Sequence, residues 1–422
     1  MNKFSDFKYD LDDIILYPET LTNIDSRKKC KTIYENSVDK NFKNVYPLIV
    51  SPMDTVVDKE NISLFLNKNL ITCLPRQHKL GHQYNDMNFN SYSINDVIEI
   101  LTKIYLYLSC CKETEYSLGI KNKITNFLDS HDYEYYFFSP HTCHINKKGE
   151  KREIYIFGEC DVNINDFKKD CVTKFFYDNK NVLIDVANGH MTILRDLSKL
   201  LKDIFGDSII LMVGNIANPK TYEEYAKVGV DMVRCSIGSG NACLTSVQTA
   251  VGYGLASLIY DIKTIKESGG YDTQIILDGG IKNYSDVIKG LALGADYVMI
   301  GSLFNKCIES CGQKYLKIFG KHIKISQKLA VYLYRKNFSV WVKYRGMSTK
   351  EVQRDWGKKK LTTSEGVVRY RKVEYSLDQF LENMDSYLRS AMSYTNCSNL
   401  CEFKGTDNII FVTNNVINRF KK

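Results

Sequence analysis

Residues 233–254 read VRCSIGSGNACLTSVQTAVGYG. A short apolar stretch runs into Gly238 and Gly240, which flank a serine. Cys243 follows, with Thr245 two residues on. Glycine lets the backbone turn sharply and show its polar groups to a small ligand. A thiol just past such a turn, at the end of a strand, is placed as a nucleophile, and a thiolate attacks an electron-poor carbon well. For any single cysteine the alternative is burial as a small apolar side chain. With 13 cysteines in the chain, the surrounding pattern has to separate the two.

The same pattern, a short β-type run ending in a polar or glycine-bearing turn, recurs on both sides. The runs are Leu48–Val50, Ile71–Leu74, Ile154–Phe157, Val182–Val186, Ile209–Val213, Met232–Cys235, Ile275–Leu277 and Tyr297–Ile300. Stretches with helical spacing lie between most of them, such as Met191–Phe205 and Thr221–Val228. Continuous apolar strands alternating with amphipathic helices imply parallel strands covered by helices. Eight of them predict an α/β fold, a closed (β/α)8 TIM barrel. An open doubly wound sheet is the runner-up, but no G-x-G-x-x-G follows the first strand. In a barrel the chemistry gathers where strands end. Those ends carry Ser51-Pro52-Met53-Asp54, Arg76, Asn188-Gly189, Gly214-Asn215, the cysteine loop, Asp278-Gly279-Gly280 and Gly301-Ser302. Each alone reads as a turn; together they predict a ligand site on one rim.

Between the second and third of these strands lie about 80 residues, where a βα unit takes roughly 30. The expected organisation is therefore an arm and first strands over 1–78, an insertion over 79–152 of unassigned role, the rest of the barrel over 153–400, and a tail over 401–422. Residues 303–375 lack strong periodicity and read as an irregular lid. His141, Cys143 and His144 lie close together, but their spacing fits no standard zinc pattern, so a surface subdomain or oligomer contact is the expectation for the insertion.

Composition is that of a globular chain, 44% hydrophobic and 25% charged, with a net charge of +8. The lysines are scattered and often near Asp or Glu, so the expectation is a solvated surface with no nucleic-acid stripe. The polar N-terminus is not a signal peptide, and no apolar run approaches the ~20 residues of a membrane span. Dispersed cysteines then read as reduced thiols in a cytoplasmic setting.

Several blocks, taken in order, resemble the IMP dehydrogenase/GMP reductase family. They are Ser51-Pro52-Met53-Asp54-Thr55-Val56, Ile184-Asp185-Val186-Ala187-Asn188-Gly189-His190, Gly214-Asn215, Ile237–Thr245, Asp278-Gly279-Gly280 and Gly346-Met347-Ser348. The resemblance implies the (β/α)8 fold, a homotetramer and a purine nucleotide substrate, and a thioimidate between Cys243 and purine carbon 2. Asp185–Gly189 matches the reductase pattern D-V-A-N-G, and Thr249-Ala250-Val251-Gly252-Tyr253 is close to its T-G-V-G-Y. The dehydrogenase's water-activating Arg-Tyr pair has no counterpart between Met347 and Ser364. The branch implied is thus the NADPH-dependent reductase, which turns GMP into IMP and ammonia. A dehydrogenase of IMP, or a silent nucleotide-binding relative, is the alternative.

By the same resemblance, Thr245 and Glu365 assist Cys243 by supplying a proton to departing ammonia, a task suited to a carboxyl beside a hydroxyl. Asp278 holds the ribose. Gly279, Gly280, Gly301 and Ser302 cradle the 5′-phosphate, with a side-chain contact added by Ser302. Gly346, Met347, Ser348 and Gly366 meet the purine. The NADPH residues are Ser26, Arg27, Arg76, Asp185, Val186, Ala187 and Ser390. Carbonyls of Gly238, Gly240 and Cys243, with Ser246, hold a potassium ion. The chain departs from the family at Pro75 and Thr362 near the cofactor, at Tyr344-Arg345, which is dehydrogenase-like, and at Arg234-Cys235 before the loop.

Overall fold

The computed structural model describes residues 7–35, 42–76, 87–110, 115–131, 133–139, 142–147, 150–155, 180–355 and 363–420. Eight parallel strands close on themselves: β1 (Leu48–Val50), β2 (Ile71–Leu74), β3 (Asn88–Tyr92), β4 (Asn181–Asp185), β5 (Ile210–Ile216), β6 (Met232–Cys235), β7 (Gln274–Asp278) and β8 (Tyr297–Ile300). Each pairs with its neighbours in sequence, and β8 closes on β1 with Val298 opposite Leu48. Leu48–Val50, Val182–Ile184, Leu211–Val213 and Ile275–Leu277 are all buried, as strands packed on both faces must be. Helices such as Thr192–Phe205, Leu255–Gly269 and Tyr284–Ala292 cover the outside. The (β/α)8 reading is correct.

Two expectations about its layout are not. The third strand is Asn88–Tyr92, not Ile154–Phe157. Its sequence, NFNSY, has no apolar run; Asn88, Asn90 and Ser91 are buried in the barrel wall, and Asn181 Nδ2 donates to the Asn88 carbonyl at 3.1 Å. Residues 150–155 instead pair antiparallel with 142–147, which pair with 134–139. The additional material therefore follows the third strand rather than the second: helices Ile94–Cys110 and Glu115–Ser130, then this three-stranded sheet, precede β4. His141 lies outside the described residues, as do the side chains of Cys143 and His144.

The described residues of the segment after β8 form regular elements, where irregular chain was expected. Strands β9 (Lys314–Ile318), β10 (Lys321–Ile325), β11 (Val340–Arg345) and β12 (Val368–Lys372) form an antiparallel sheet in the order β10-β9-β11-β12. One face packs Ile325, Val340 and Val342 with Ile308, Ala330 and Val373 in a core of its own. Helix Leu377–Tyr394 follows, with a reciprocal cap between Ser376 and Gln379. Ile409–Phe411 in the tail pairs antiparallel with Ile14–Leu16 of the arm. Among the described residues no helix is long and apolar enough to cross a membrane.

Candidate active site

A cavity of about 520 Å³ opens where the barrel strands end. Its wall includes Met53, Arg76, Asp185, Val186, Ala187, Gly238, Gly240, Cys243, Thr245, Asp278, Gly279, Gly280, Gly301, Ser302, Gly346, Met347, Ser348 and Glu365. Most of the predicted residues thus converge on one space. Gly366 is not on the wall; it pairs with Cys243 in an antiparallel bridge.

The cysteine loop is held from two sides. At Gly238, φ is +75°, and a β-carbon there would lie 1.8 Å from Ser246 Oγ, so no other residue fits the turn. On the other side, residues 365–367 run beside residues 242–244. The Leu244 N–H donates to the Glu365 carbonyl at 2.7 Å, and the Val367 N–H to the Ala242 carbonyl at 3.0 Å. That pairing carries Glu365 into place. Cys243 Sγ donates to Thr245 Oγ1 at 3.2 Å, and Thr245 Oγ1 donates to Glu365 Oε2 at 2.6 Å. Thiol, hydroxyl and carboxylate form one continuous proton path, with the partly buried sulfur facing the cavity.

Arg234 organises the floor. It leaves β6 inside the barrel, 5% exposed. Its Nη1 donates to Asp185 Oδ1 at 2.5 Å; Nη2 and Nε donate to Asp278 Oδ2 at 2.8 and 3.0 Å. Asn215 Nδ2 donates to the same Asp278 oxygen at 2.7 Å. Arg76 Nε lies 3.4 Å from Asp185 Oδ2. Burial works to raise the Asp185 pKa, but Arg234 and Arg76 outweigh it and hold the carboxyl below its ordinary value. The carboxylates predicted for ribose and nicotinamide are thus bridged by one guanidinium. The sequence signalled Arg234 only as a departure from a family pattern, and nothing in the spacing announced the bridge.

At the glycine-rich end, Ser302 Oγ donates to the Ile281 carbonyl at 3.0 Å and accepts from Asn241 Nδ2 at 2.8 Å. Its hydroxyl proton is directed here at a main-chain carbonyl. Asn241 ties this end to the cysteine loop. Tyr344 and Gln353 also line the cavity and were not foreseen.

The remaining predicted residues lie elsewhere. Ser26, Arg27 and Ser390 meet at the surface, Arg27 Nη1 donating to Ser390 Oγ at 2.9 Å, but none lines the cavity. Ser246 Oγ donates to the Ile237 and Val251 carbonyls at 3.0 and 2.6 Å, bracing the turn. The Gly240 carbonyl accepts from the Cys243 N–H at 2.8 Å, which leaves it a second lone pair. Among the described residues no cluster of His, Cys, Asp and Glu has the makings of a metal site. Pro75 ends β2 in a buried position. Thr362 lies outside the described residues. Arg345 turns away from the cavity to pair with Asp54, and Arg369 and Tyr370 on β12 are not on its wall.

The model of the IMP dehydrogenase / GMP reductase domain matches residues 8–419. A GMP reductase of Lactobacillus delbrueckii subsp. bulgaricus is 27% identical over 420 residues, 99% of this chain and 98% of that one. A GMP reductase of Streptococcus pneumoniae is 29% identical over 265 residues, 61% of this chain and 70% of its own. An inosine-5′-monophosphate dehydrogenase of Chlorobaculum parvum is 30% identical over 232 residues, 55% of this chain; the match spans only 45% of that relative's length.

Proposed function

The chain belongs to the IMP dehydrogenase/GMP reductase family, a family of oxidoreductases, and from that premise we propose that it is a GMP reductase, converting GMP to IMP and ammonia with NADPH. The observation that carries the proposal is the path from Cys243 through Thr245 to Glu365. Replacing an amino group requires a proton for the leaving ammonia, and a carboxyl group reached through a hydroxyl provides one. Hydrolysis would instead require a base aimed at water. The Arg-Tyr pair of this chain stands on β12, away from the cavity wall. Near full-length similarity to a GMP reductase supports the same reading.

In the proposed reaction Cys243 Sγ bonds to purine carbon 2 while its proton passes through Thr245 to Glu365. Glu365 returns a proton by the same route to the exocyclic nitrogen. The C–N bond breaks, ammonia leaves and the thioimidate remains. When bound, NADPH would supply the hydride that reduces carbon 2; the C–S bond then breaks with its electron pair on sulfur, which takes a proton from solvent as IMP departs. Asp278 accepts from the ribose hydroxyls through the oxygen that Arg234 does not occupy. Asp185 and Arg76, with Val186 and Ala187, are the proposed nicotinamide contacts. Ser26, Arg27 and Ser390 serve a dinucleotide from a neighbouring copy, so the cofactor and homotetramer proposals stand together. Hard oxygen donors at Gly238, Gly240 and Cys243 suit a potassium ion. A cytoplasmic location is proposed with them.

The test is a pair of incubations, GMP with NADPH and IMP with NAD. Consumption of NADPH with release of ammonia in the first supports the proposal. NADH formation in the second alone replaces it with the dehydrogenase reading, which the partial match at 30% identity favours. GMP binding without turnover in either replaces it with a silent binder.

A further inference from the structure

Between residues 314 and 372 the chain carries seventeen Lys and Arg against three Asp and Glu. Two of these cations, the half-buried Arg371 and the exposed Arg369, stand together. On β12, Arg369 and Arg371 are two apart and share a face. Across the ladder Arg371 is opposite Val342 and Arg369 opposite Tyr344, so both leave the strand on the face that holds those two side chains. The Arg371 guanidinium carbon lies 4.2 Å from the centre of the Tyr344 ring, and Nη1 donates to the Ser302 carbonyl at 3.3 Å. Tyr344 and Ser302 are both walls of the glycine-rich end of the cavity.

Arg371 is half-buried, yet it forms no ion pair with a carboxylate among the described residues. Glu374, the nearest acid along the chain, is engaged with Lys306 at 2.9 Å. Burial is the largest influence and lowers the Arg371 pKa; Tyr344 opposes it, the like charge of Arg369 adds to it, and Glu374 opposes. A desolvated cation with no countercharge is costly. Stacking on a tyrosine face recovers part of that cost. An anion arriving on the far side of Tyr344 and Ser302 would recover more.

We propose that Arg371, backed by Arg369, is the positioning residue and positive charge by which this protein selects a nucleoside 5′-monophosphate over the nucleoside. The inference rests on the reading of GMP as substrate. Arg371 does not line the cavity, so it acts through its neighbours. It holds the Tyr344 ring and the Ser302 peptide in place and sets a positive potential behind them. The turns at Gly279-Gly280 and Gly301-Ser302 direct the ligand, and the guanidinium supplies the charge that they lack.

The experiment compares the KM for GMP with the inhibition constant of guanosine in the full-length protein, using Arg371→Met, Arg371→Lys and Arg369→Met. Arg371→Met is expected to raise the KM for GMP about tenfold, the scale of one charged hydrogen-bonding group, with kcat and the guanosine constant little changed. Arg371→Lys should restore most of the loss. Arg369→Met, at an exposed position that tolerates change, should raise the KM for GMP about twofold and flatten its salt dependence. Equal losses for GMP and guanosine, or no loss for either, overturn the inference while leaving GMP reduction intact. Wild-type protein that neither binds nor turns over GMP removes the functional reading, and this inference with it.

Discussion

Thr245 Oγ1 and Glu365 Oε2 lie 2.6 Å apart although 120 residues separate them in the chain. The Glu365 backbone is fixed to the cysteine loop by the hydrogen bond from Leu244, so the carboxylate is delivered by main-chain pairing rather than by its own flexibility. Cys243 lies at the other end of the same path. Cys243→Ala should abolish turnover and leave GMP binding within about twofold of wild type, measured by calorimetry, because only bond formation needs the sulfur.

Glu365→Gln keeps the acceptor for Thr245 but cannot take up or release the proton. We expect kcat to fall by about 10²–10³ with little change in the KM for GMP. Thr245→Val should cost a similar factor. The double variant should be scarcely worse than either single one, since both break one relay. Multiplicative losses would show that the two groups act separately.

Gly346 is where the subdomain meets the cysteine loop. A β-carbon there would stand 2.6 Å from the Ala242 carbonyl, the same carbonyl that accepts from Val367. Gly346→Ala should push the 365–367 segment off the loop. The expected result is a loss in kcat of at least about tenfold, since small misplacements of catalytic groups are costly. The melting temperature should hardly change, because the sheet's core of Ile325, Val340 and Val342 is untouched.

Removing the Arg234 guanidinium leaves Asp185 and Asp278 facing each other without a cation between them. Arg234→Met is expected to cost about 3–5 kcal/mol in denaturant unfolding, the usual penalty for orphaning a buried ionic partner. Arg234→Lys should cost less, since one ammonium can still meet one carboxylate.

The same bridge dictates a pH dependence. The Asp185 pKa is depressed in the folded state, so its contribution to stability is present above the unfolded carboxyl pKa and is lost as pH falls through the folded value. Wild-type stability should therefore decline on acidification below about pH 4, near the ordinary carboxyl value. In Arg234→Met that contribution is absent, and the acid-unfolding midpoint should move to higher pH. An unchanged midpoint would mean that Arg76 alone holds the carboxylate.

Much of the site was legible before folding. Seven of the eight barrel strands announce themselves as apolar runs, because strands buried on both faces leave little room for polar side chains. The eighth, Asn88–Tyr92, does not. Its asparagines and serine are buried in the wall, while the apolar Ile154 belongs to a separate antiparallel sheet. Periodicity measures burial, and here burial and polarity part company. The segment after β8 was misread for a related reason. A four-stranded sheet with only one face on a small core has strands too mixed in character to stand out from loop sequence.

The order of the blocks, their glycines and the single thiol beyond the turn were enough to specify the barrel, the family and the position of Cys243. Those features are local: a turn's φ, a strand's hydrophobicity and a residue's reactivity are properties of a few consecutive positions. What the three-dimensional structure alone decided is which distant charges meet. Arg234 lies between Asp185 and Asp278, and Arg371 stacks on Tyr344. Hydrogen bonds and ion pairs act over a few ångströms of space regardless of separation along the chain, so their partners become known only once the barrel has closed and the antiparallel sheet has settled on its rim.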